Sequence, residues 1–260
     1  MNNSKEPSGQ QDRTRDRSPA APALTADRRV LVIIPVWNEE VSIGGVVKDL
    51  RRHVPHDILV CDDGSTDRTL DIARELGCMI AGPTPHGMDN PLRTGVKFGM
   101  NNGYDVIVQL GGSGKQSAAD LPAVVQPVLD GTSDFVSGSR YLPGGRAINH
   151  PAQRQVGTRL FSALFSLFAG RTATDASNAW RAYSVRMLRD PRFVMDEPWI
   201  DVYAFEPYLY YKAIEFGYRV REVPVTITYP KRRGYSKIRF PGSYWAVFRP
   251  ILYLRLGIRK

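Results

Sequence analysis

Four short apolar runs, each closed by a cluster of polar residues, constrain this chain more than any other feature. They are Val30-Leu31-Val32-Ile33-Ile34, Ile58-Leu59-Val60-Cys61, Val106-Ile107-Val108-Gln109-Leu110 and Phe135-Val136-Ser137. Continuous runs of this length suit strands buried on both faces, as in a parallel sheet covered by helices. Pro35 is expected to end the first strand. Ser42 is placed to cap a helix running to about His53, and a second helix spans about Asp67 to Leu76. Strands alternating with helices give right-handed crossovers and a largely parallel α/β sheet. Such sheets bind ligands outside the carboxyl ends of their strands. Each polar cluster lies at that end.

The chain has 260 residues, enough for one large domain with a real core. Residues 1–28 are rich in Ser, Pro, Asp and Arg without apolar periodicity, and read as a disordered tail. Cys61 and Cys78 make no disulfide framework and suit a reducing compartment. No run nears the roughly 20 apolar residues of a membrane span, and the N-terminus lacks an apolar signal core. The expectation is a cytoplasmic protein, peripheral at most to the inner face of a membrane.

The formal net charge is +9, and nine positive residues with no acid lie between Lys231 and Lys260. Such a terminus suits a diphosphate, an anionic membrane or nucleic acid, or is a solvated tail. No aromatic RNA-reading motif accompanies it, so nucleic acid is not the expected partner. Ser243 to Arg249 and Ile251 to Ile258 read as amphipathic pieces divided by Pro250, suited to a membrane interface or to packing on the sheet. Leu160 to Phe168 is apolar nearly all round, hence core or lipid-facing.

At the first strand edge stands Pro35-Val36-Trp37-Asn38-Glu39-Glu40. Trp37 offers a flat face for a base and Glu39 an acceptor. At the second stands Asp62-Asp63-Gly64-Ser65-Thr66-Asp67, whose acids can accept from a base N–H or ribose hydroxyls, or cap the next helix.

These two motifs resemble those of family 2 glycosyltransferases, within them the dolichyl-phosphate mannosyltransferase and polyprenyl-phosphate glycosyltransferase group. Leu92-Arg93-Thr94-Gly95, Asp134 to Tyr141, Trp180-Arg181-Ala182-Tyr183, Glu222-Val223-Pro224-Val225 and Gly234-Tyr235-Ser236-Lys237 follow in the same order. The resemblance covers about Val30 to Ile238. It implies a GT-A fold, Rossmann-like and single-domain, over residues 29–238, followed by a basic amphipathic segment, 239–260. It also implies a nucleotide-sugar donor and inversion at the anomeric carbon. Pro35, Trp37, Glu39, Asp62 or Asp63 would hold the nucleoside. Arg93 belongs to the same donor-binding set, and Arg181, Arg232, Arg233, Ser236 and Lys237 would bind phosphates. A lipid-phosphate acceptor is already anionic, whereas a hydroxyl acceptor needs a base. Glu206 and Asp175 are the candidate bases, or structural acids.

One motif departs from the pattern. Where relatives carry Asp-x-Asp and then a glutamine, this chain reads Gly111-Gly112-Ser113-Gly114-Lys115-Gln116. Upstream, Gly87-Met88-Asp89 replaces a Gly-Lys-Gly. Magnesium or manganese wants carboxylate oxygens, so a conventional Asp-x-Asp metal site cannot form and no metal ligand is assigned. Three readings stay open. Lys115 supplies the missing positive charge, with Gly111 and Ser113 lining the diphosphate; the pocket is reused for another transferase reaction or as a non-catalytic nucleotide-binding subunit; or Lys115 is a solvated loop residue.

Overall fold

The apolar runs become the middle of a mixed sheet. The computed structural model describes residues 28–82, 86, 90–201, 203–230 and 242–258. Its strands are β1 (Val30–Val36), β2 (Asp57–Asp62), β3 (Met79–Ala81), β4 (Val106–Gln109), β5 (Phe135–Ser139), β6 (Arg146–Ile148), β7 (Arg181–Ser184), β8 (Val220–Pro224) and β9 (Thr226–Thr228). The helices are α1 (Ile43–His53), α2 (Thr69–Glu75), α3 (Pro91–Asn101), α4 (Leu121–Leu129), α5 (Ala152–Ala169), α6 (Val185–Leu188), α7 (Phe205–Glu215) and α8 (Gly242–Arg255).

Seven strands pair in the order β3-β2-β1-β4-β7-β5-β8, and β6 pairs with β9 apart from them. β7 runs antiparallel to both its neighbours, while the other pairings in the sheet are parallel. The carboxyl ends of β1, β2, β4 and β5 therefore share one edge. Successive residues of β1 feed opposite cores: Leu31 and Ile33 join one cluster, Val30, Val32 and Ile34 the other. That double burial is what the unbroken apolar run encoded.

Three local expectations are corrected. β1 does not stop at Pro35; it continues to Val36, with Pro35 opposite Cys61. In a parallel strand a residue's N–H and C=O point to the same side, and the Pro35 carbonyl faces the β4 side, accepting the Gly112 N–H at 3.4 Å. The missing proline N–H thus falls beyond the end of β4, where no ladder bond is lost. Ser42 begins α1 without capping it; its hydroxyl instead donates to Glu39 at 2.9 Å. Pro250 does not divide the C-terminal segment, since α8 runs through it as one helix. Pro250, Ile251 and Leu254 are buried, and Arg249 pairs with Asp201, so anchors on both sides of the proline offset its lost hydrogen bond.

α3 lies close against the sheet because Gly95 permits it. A Cβ there would fall 2.7 Å from Cys61 Sγ and 3.1 Å from Ile33 Cγ2. Asn90 caps α3 through its side-chain oxygen, which accepts the N–H groups of Leu92 and Arg93, and Pro91 occupies the first turn. In α5, Phe161 and Phe165 face the core whereas Val156, Leu160 and Leu167 are 68%, 55% and 70% exposed. This helix is buried along one stripe only.

Candidate active site

The register that sets Val36 beside Asp62 brings the residues after β1 and β2 out together. Side chains then sew the two loops to each other. Asn38 sits at φ 52°, a conformation asparagine tolerates better than most. Its Oδ1 accepts the Thr66 N–H at 2.8 Å, and its own N–H donates to Ser65 Oγ at 2.9 Å. The Glu39 N–H donates to Thr69 Oγ1 at 2.8 Å and the Glu40 N–H to Asp67 at 3.1 Å. Burial raises the Asp67 carboxyl, but hydrogen bonds from Thr69 and Glu40 outweigh it and hold the group below its usual range.

The structure divides the paired acids. Asp62 is buried and accepts the N–H groups of Gly64 at 3.1 Å and Ser65 at 3.0 Å, so it locks the turn. Asp63 points away from that turn and meets His86, whose Nδ1 lies 2.6 Å from Asp63 Oδ2. His86 also stacks on Trp37, ring centroids 3.9 Å apart and planes 5° apart. Trp37 and Asp63 thus meet one imidazole, at its face and at its edge. Glu39 holds the start of α1 by accepting from Ser42.

The loop after β4 crosses the end of β1. A Cβ on Gly112 would lie 2.7 Å from Val36 Cγ1, so glycine is required for that crossing, and one on Gly114 would lie 4.0 Å from the Ser42 Cβ. The far side of the loop is tied to β9: the Thr228 N–H donates to the Lys115 carbonyl at 2.8 Å, and Gln116 bridges Ile227. The loop carrying Gly111, Ser113 and Lys115 is consequently held against the end of β1 and the start of α1. Gly111 brings no side-chain ligand, Ser113 a lone hydroxyl and Lys115 a cation. That donor set does not fit a hard divalent ion. Among the described residues no group of three or more His, Cys, Asp or Glu is placed to share a metal.

Beneath the loop lies a buried polar relay. Gln109 closes β4 opposite Arg181 of β7. The Tyr183 hydroxyl donates to Gln109 Oε1 at 2.7 Å, which turns the amide nitrogen toward Glu206. Glu206 is 24% exposed and lies 3.9 Å from Arg181 Nε. Burial raises its carboxyl above the ordinary range, against the opposing pull of Arg181 and Gln109.

Arg181 itself is placed in the core, not on a cleft wall. It donates to the carbonyls of Asn178 at 3.0 Å, Glu206 at 2.5 Å and Ala176 at 2.8 Å. That corrects its expected phosphate-facing position, because its donors are spent on backbone. Asp175 is likewise corrected as a free base. It is buried in a bidentate pair with Arg140, with Nε–Oδ2 and Nη2–Oδ1 both 2.6 Å. Burial opposes the Arg140 charge, but Asp175 prevails and raises its affinity for the proton. Arg93 donates to the Ile200 carbonyl, bridging α3 to the segment before α7. Arg232, Arg233, Ser236 and Lys237, with Gly87-Met88-Asp89, lie outside the described residues.

A second cationic cluster, unforeseen as such, forms where β5 ends and α5 begins. Arg140 reaches Tyr229, Arg154 lies 5.5 Å over the Tyr229 ring, and Arg159 lies 5.2 Å over Tyr141. His150 stacks on Tyr229 at 4.4 Å. Burial, then Arg140 and Arg154, lower its pKa to about 4.

Comparison with known proteins places this geometry. The family model described as glycosyl transferase family 2 matches residues 31–190. The chain is 32% identical over 217 residues to an undecaprenyl-phosphate mannosyltransferase of Micrococcus luteus, covering 81% of this chain and 87% of that one. The chain belongs to glycosyl transferase family 2. A polyprenol monophosphomannose synthase of Mycolicibacterium smegmatis is 31% identical, with 85% of each chain covered. Glucosyl-3-phosphoglycerate synthase of Mycobacterium tuberculosis, solved with Mn2+, UDP and glucosyl-3-phosphoglycerate, shares the fold at a TM-score of 0.68 and 18% identity, over 90% of this chain and 82% of that one. The mixed sheet is thus the GT-A architecture of family 2 glycosyltransferases. Within it, His86 and Gln109 escaped sequence reading. His86 stands in a stretch without periodicity, and Gln109 reads as the last residue of an apolar strand.

Proposed function

We propose that this family 2 glycosyltransferase moves a hexose from a nucleotide sugar to a polyprenyl-phosphate acceptor at a membrane surface. One observation carries the reading: Trp37, Asp63 and the glycine loop ending at Lys115 converge on the carboxyl edge of β1, β2 and β4. The base lies along Trp37 with its N–H toward Asp63, and the diphosphate runs over Gly111 to Lys115. The acceptor phosphate oxygen attacks the anomeric carbon as its bond to the diphosphate breaks, and the nucleoside diphosphate leaves with the electron pair. Lys115 faces the charge that develops there, in the role the Asp-x-Asp ion plays elsewhere. Arg154 and Arg159 supply cations where the acceptor phosphate arrives, and Arg232, Arg233, Ser236 and Lys237 are assigned to phosphate by their motif alone. The names of the relatives from Micrococcus and Mycolicibacterium favour mannose and an undecaprenyl or related carrier.

The membrane reading draws on α5 and α8. They touch through Phe161 and Phe248, ring centroids 5.2 Å apart. Val156, Leu160 and Leu167 project from α5, and Trp245, Leu256 and Ile258 are exposed on and after α8, with Arg159 and Arg255 nearby in sequence. Exposed apolar side chains beside arginines suit an anionic lipid surface. No described helix is long and apolar enough to cross a membrane.

Calorimetry with UDP-, GDP- and dTDP-hexoses in EDTA and then magnesium tests the donor site. Binding in EDTA, weakened about tenfold or more by Lys115→Ala, is the expected result. Binding that needs the metal sinks the lysine clamp. Turnover of the bound donor with undecaprenyl phosphate separates the enzyme from a nucleotide-binding subunit.

A further inference from the structure

The face of Trp37 assigned to a nucleobase is already covered. His86 lies parallel to the indole, with ring centroids 3.9 Å apart. The same imidazole directs Nδ1 at Asp63, 2.6 Å from Oδ2 and 3.2 Å from the backbone oxygen. Both partners are acceptors, so Nδ1 carries the hydrogen and donates. A flat ring that stacks on Trp37 while pointing an N–H at a carboxylate reproduces what the ring N–H of uracil, thymine or guanine would do there. The two rings are in van der Waals contact, and no third ring fits between them.

We infer that His86 is a built-in occupant of the base slot, which a nucleotide must displace to bind, and that it sets the affinity for donor. This rests on the reading that the nucleoside lies at Trp37 and Asp63. Half of the His86 side chain is in solvent already, at 50% exposure. Swinging out therefore uncovers little apolar surface, and the ring can yield to a better-fitting base. The protein binds donor only in its His86-out population, so the apparent dissociation constant is the intrinsic one divided by that fraction. The same contact discriminates among bases. Cytosine, whose ring N3 carries no hydrogen and which offers Asp63 only an exocyclic amine, replaces the bond that His86 gives up less well and competes poorly with the imidazole.

The test is calorimetry of UDP, GDP and CDP on the full chain, on His86→Ala and His86→Phe, and on Trp37→Ala made in wild type and in His86→Ala; CDP should bind wild type more weakly than UDP. His86→Ala should bind UDP or GDP about tenfold more tightly than wild type. His86→Phe, which keeps a ring on Trp37 but has no N–H for Asp63, should fall between the two and guards against a folding defect in the alanine variant. Trp37→Ala should weaken binding in either background. Equal or weaker binding by both His86 variants, with the Trp37 effect intact, overturns the inference and leaves the donor site standing. Nucleotide binding that is indifferent to Trp37→Ala overturns the donor site itself.

Discussion

Glu206 is the residue whose chemistry most depends on the acceptor. Its carboxyl is raised by burial and partly exposed beneath the glycine loop, which is how a general base is tuned. A phosphate acceptor has no proton that must leave, so Glu206 should be dispensable in the chemical step. Glu206→Gln, which preserves size and the Gln109 contact, is expected to change turnover on undecaprenyl phosphate by less than about tenfold. A loss of roughly 10² to 10⁴ would mark a base and hence a hydroxyl acceptor. Residue types at strand ends were readable from the chain alone, and so was the carboxyl edge of the sheet on which they gather. What each acid does was not. Asp62 and Asp63 are adjacent and identical in type, yet one closes a turn and the other meets His86, because a strand end points successive side chains in opposite directions. Arg181 and Asp175 fit a phosphate clamp and a base by type, but a chain turning its own carbonyls onto Arg181, and Arg140 folding back 35 residues onto Asp175, leave no pattern in the sequence.

At the scale of elements, the glycine of α3 and the outer stripe of α5 make opposite demands. Gly95→Ala places a methyl 2.7 Å from Cys61 Sγ and 3.1 Å from Ile33 Cγ2, forcing α3 off β1 and β2. A stability loss of about 1 to 3 kcal/mol, read by denaturant titration, is expected, and an unchanged midpoint would show that the helix has slack. On α5 the change is made outward. Leu160→Glu with Leu167→Glu should leave the thermal midpoint within a few degrees, since both side chains are in solvent. The same pair should abolish flotation with phosphatidylglycerol vesicles. Flotation equal to wild type would remove α5 from the membrane face. The helix was legible as an apolar segment, but which half of it meets solvent was not, since periodicity blurs when nearly every side is apolar. β7 was read only as a motif, because four residues beginning with arginine carry no strand pattern of their own.

For the whole molecule, acid stability has a defined sign. His150 has its pKa lowered from 6.5 to about 4, chiefly by burial and then by Arg140 and Arg154. Between those values the unfolded chain binds a proton that the folded one refuses, so stability rises with pH through that window and is lost as pH falls. Asp134 adds to the loss at lower pH: burial opposes its charge, but Arg219 and Arg186 hold its carboxyl below the usual range. Urea titrations from pH 7 to 4 should therefore show wild type losing more stability than His150→Gln. Parallel curves would mean that His150 takes its proton in the native state. The reversed strand β7 has a consequence of another kind. It sets β1 and β5 three strand intervals apart, a gauge of about 14 Å at the usual spacing. The Trp37–Asp63 end and the arginine cluster are thereby fixed like the jaws of a caliper, and under the proposed function a donor one phosphate shorter would leave its sugar stranded short of the second jaw.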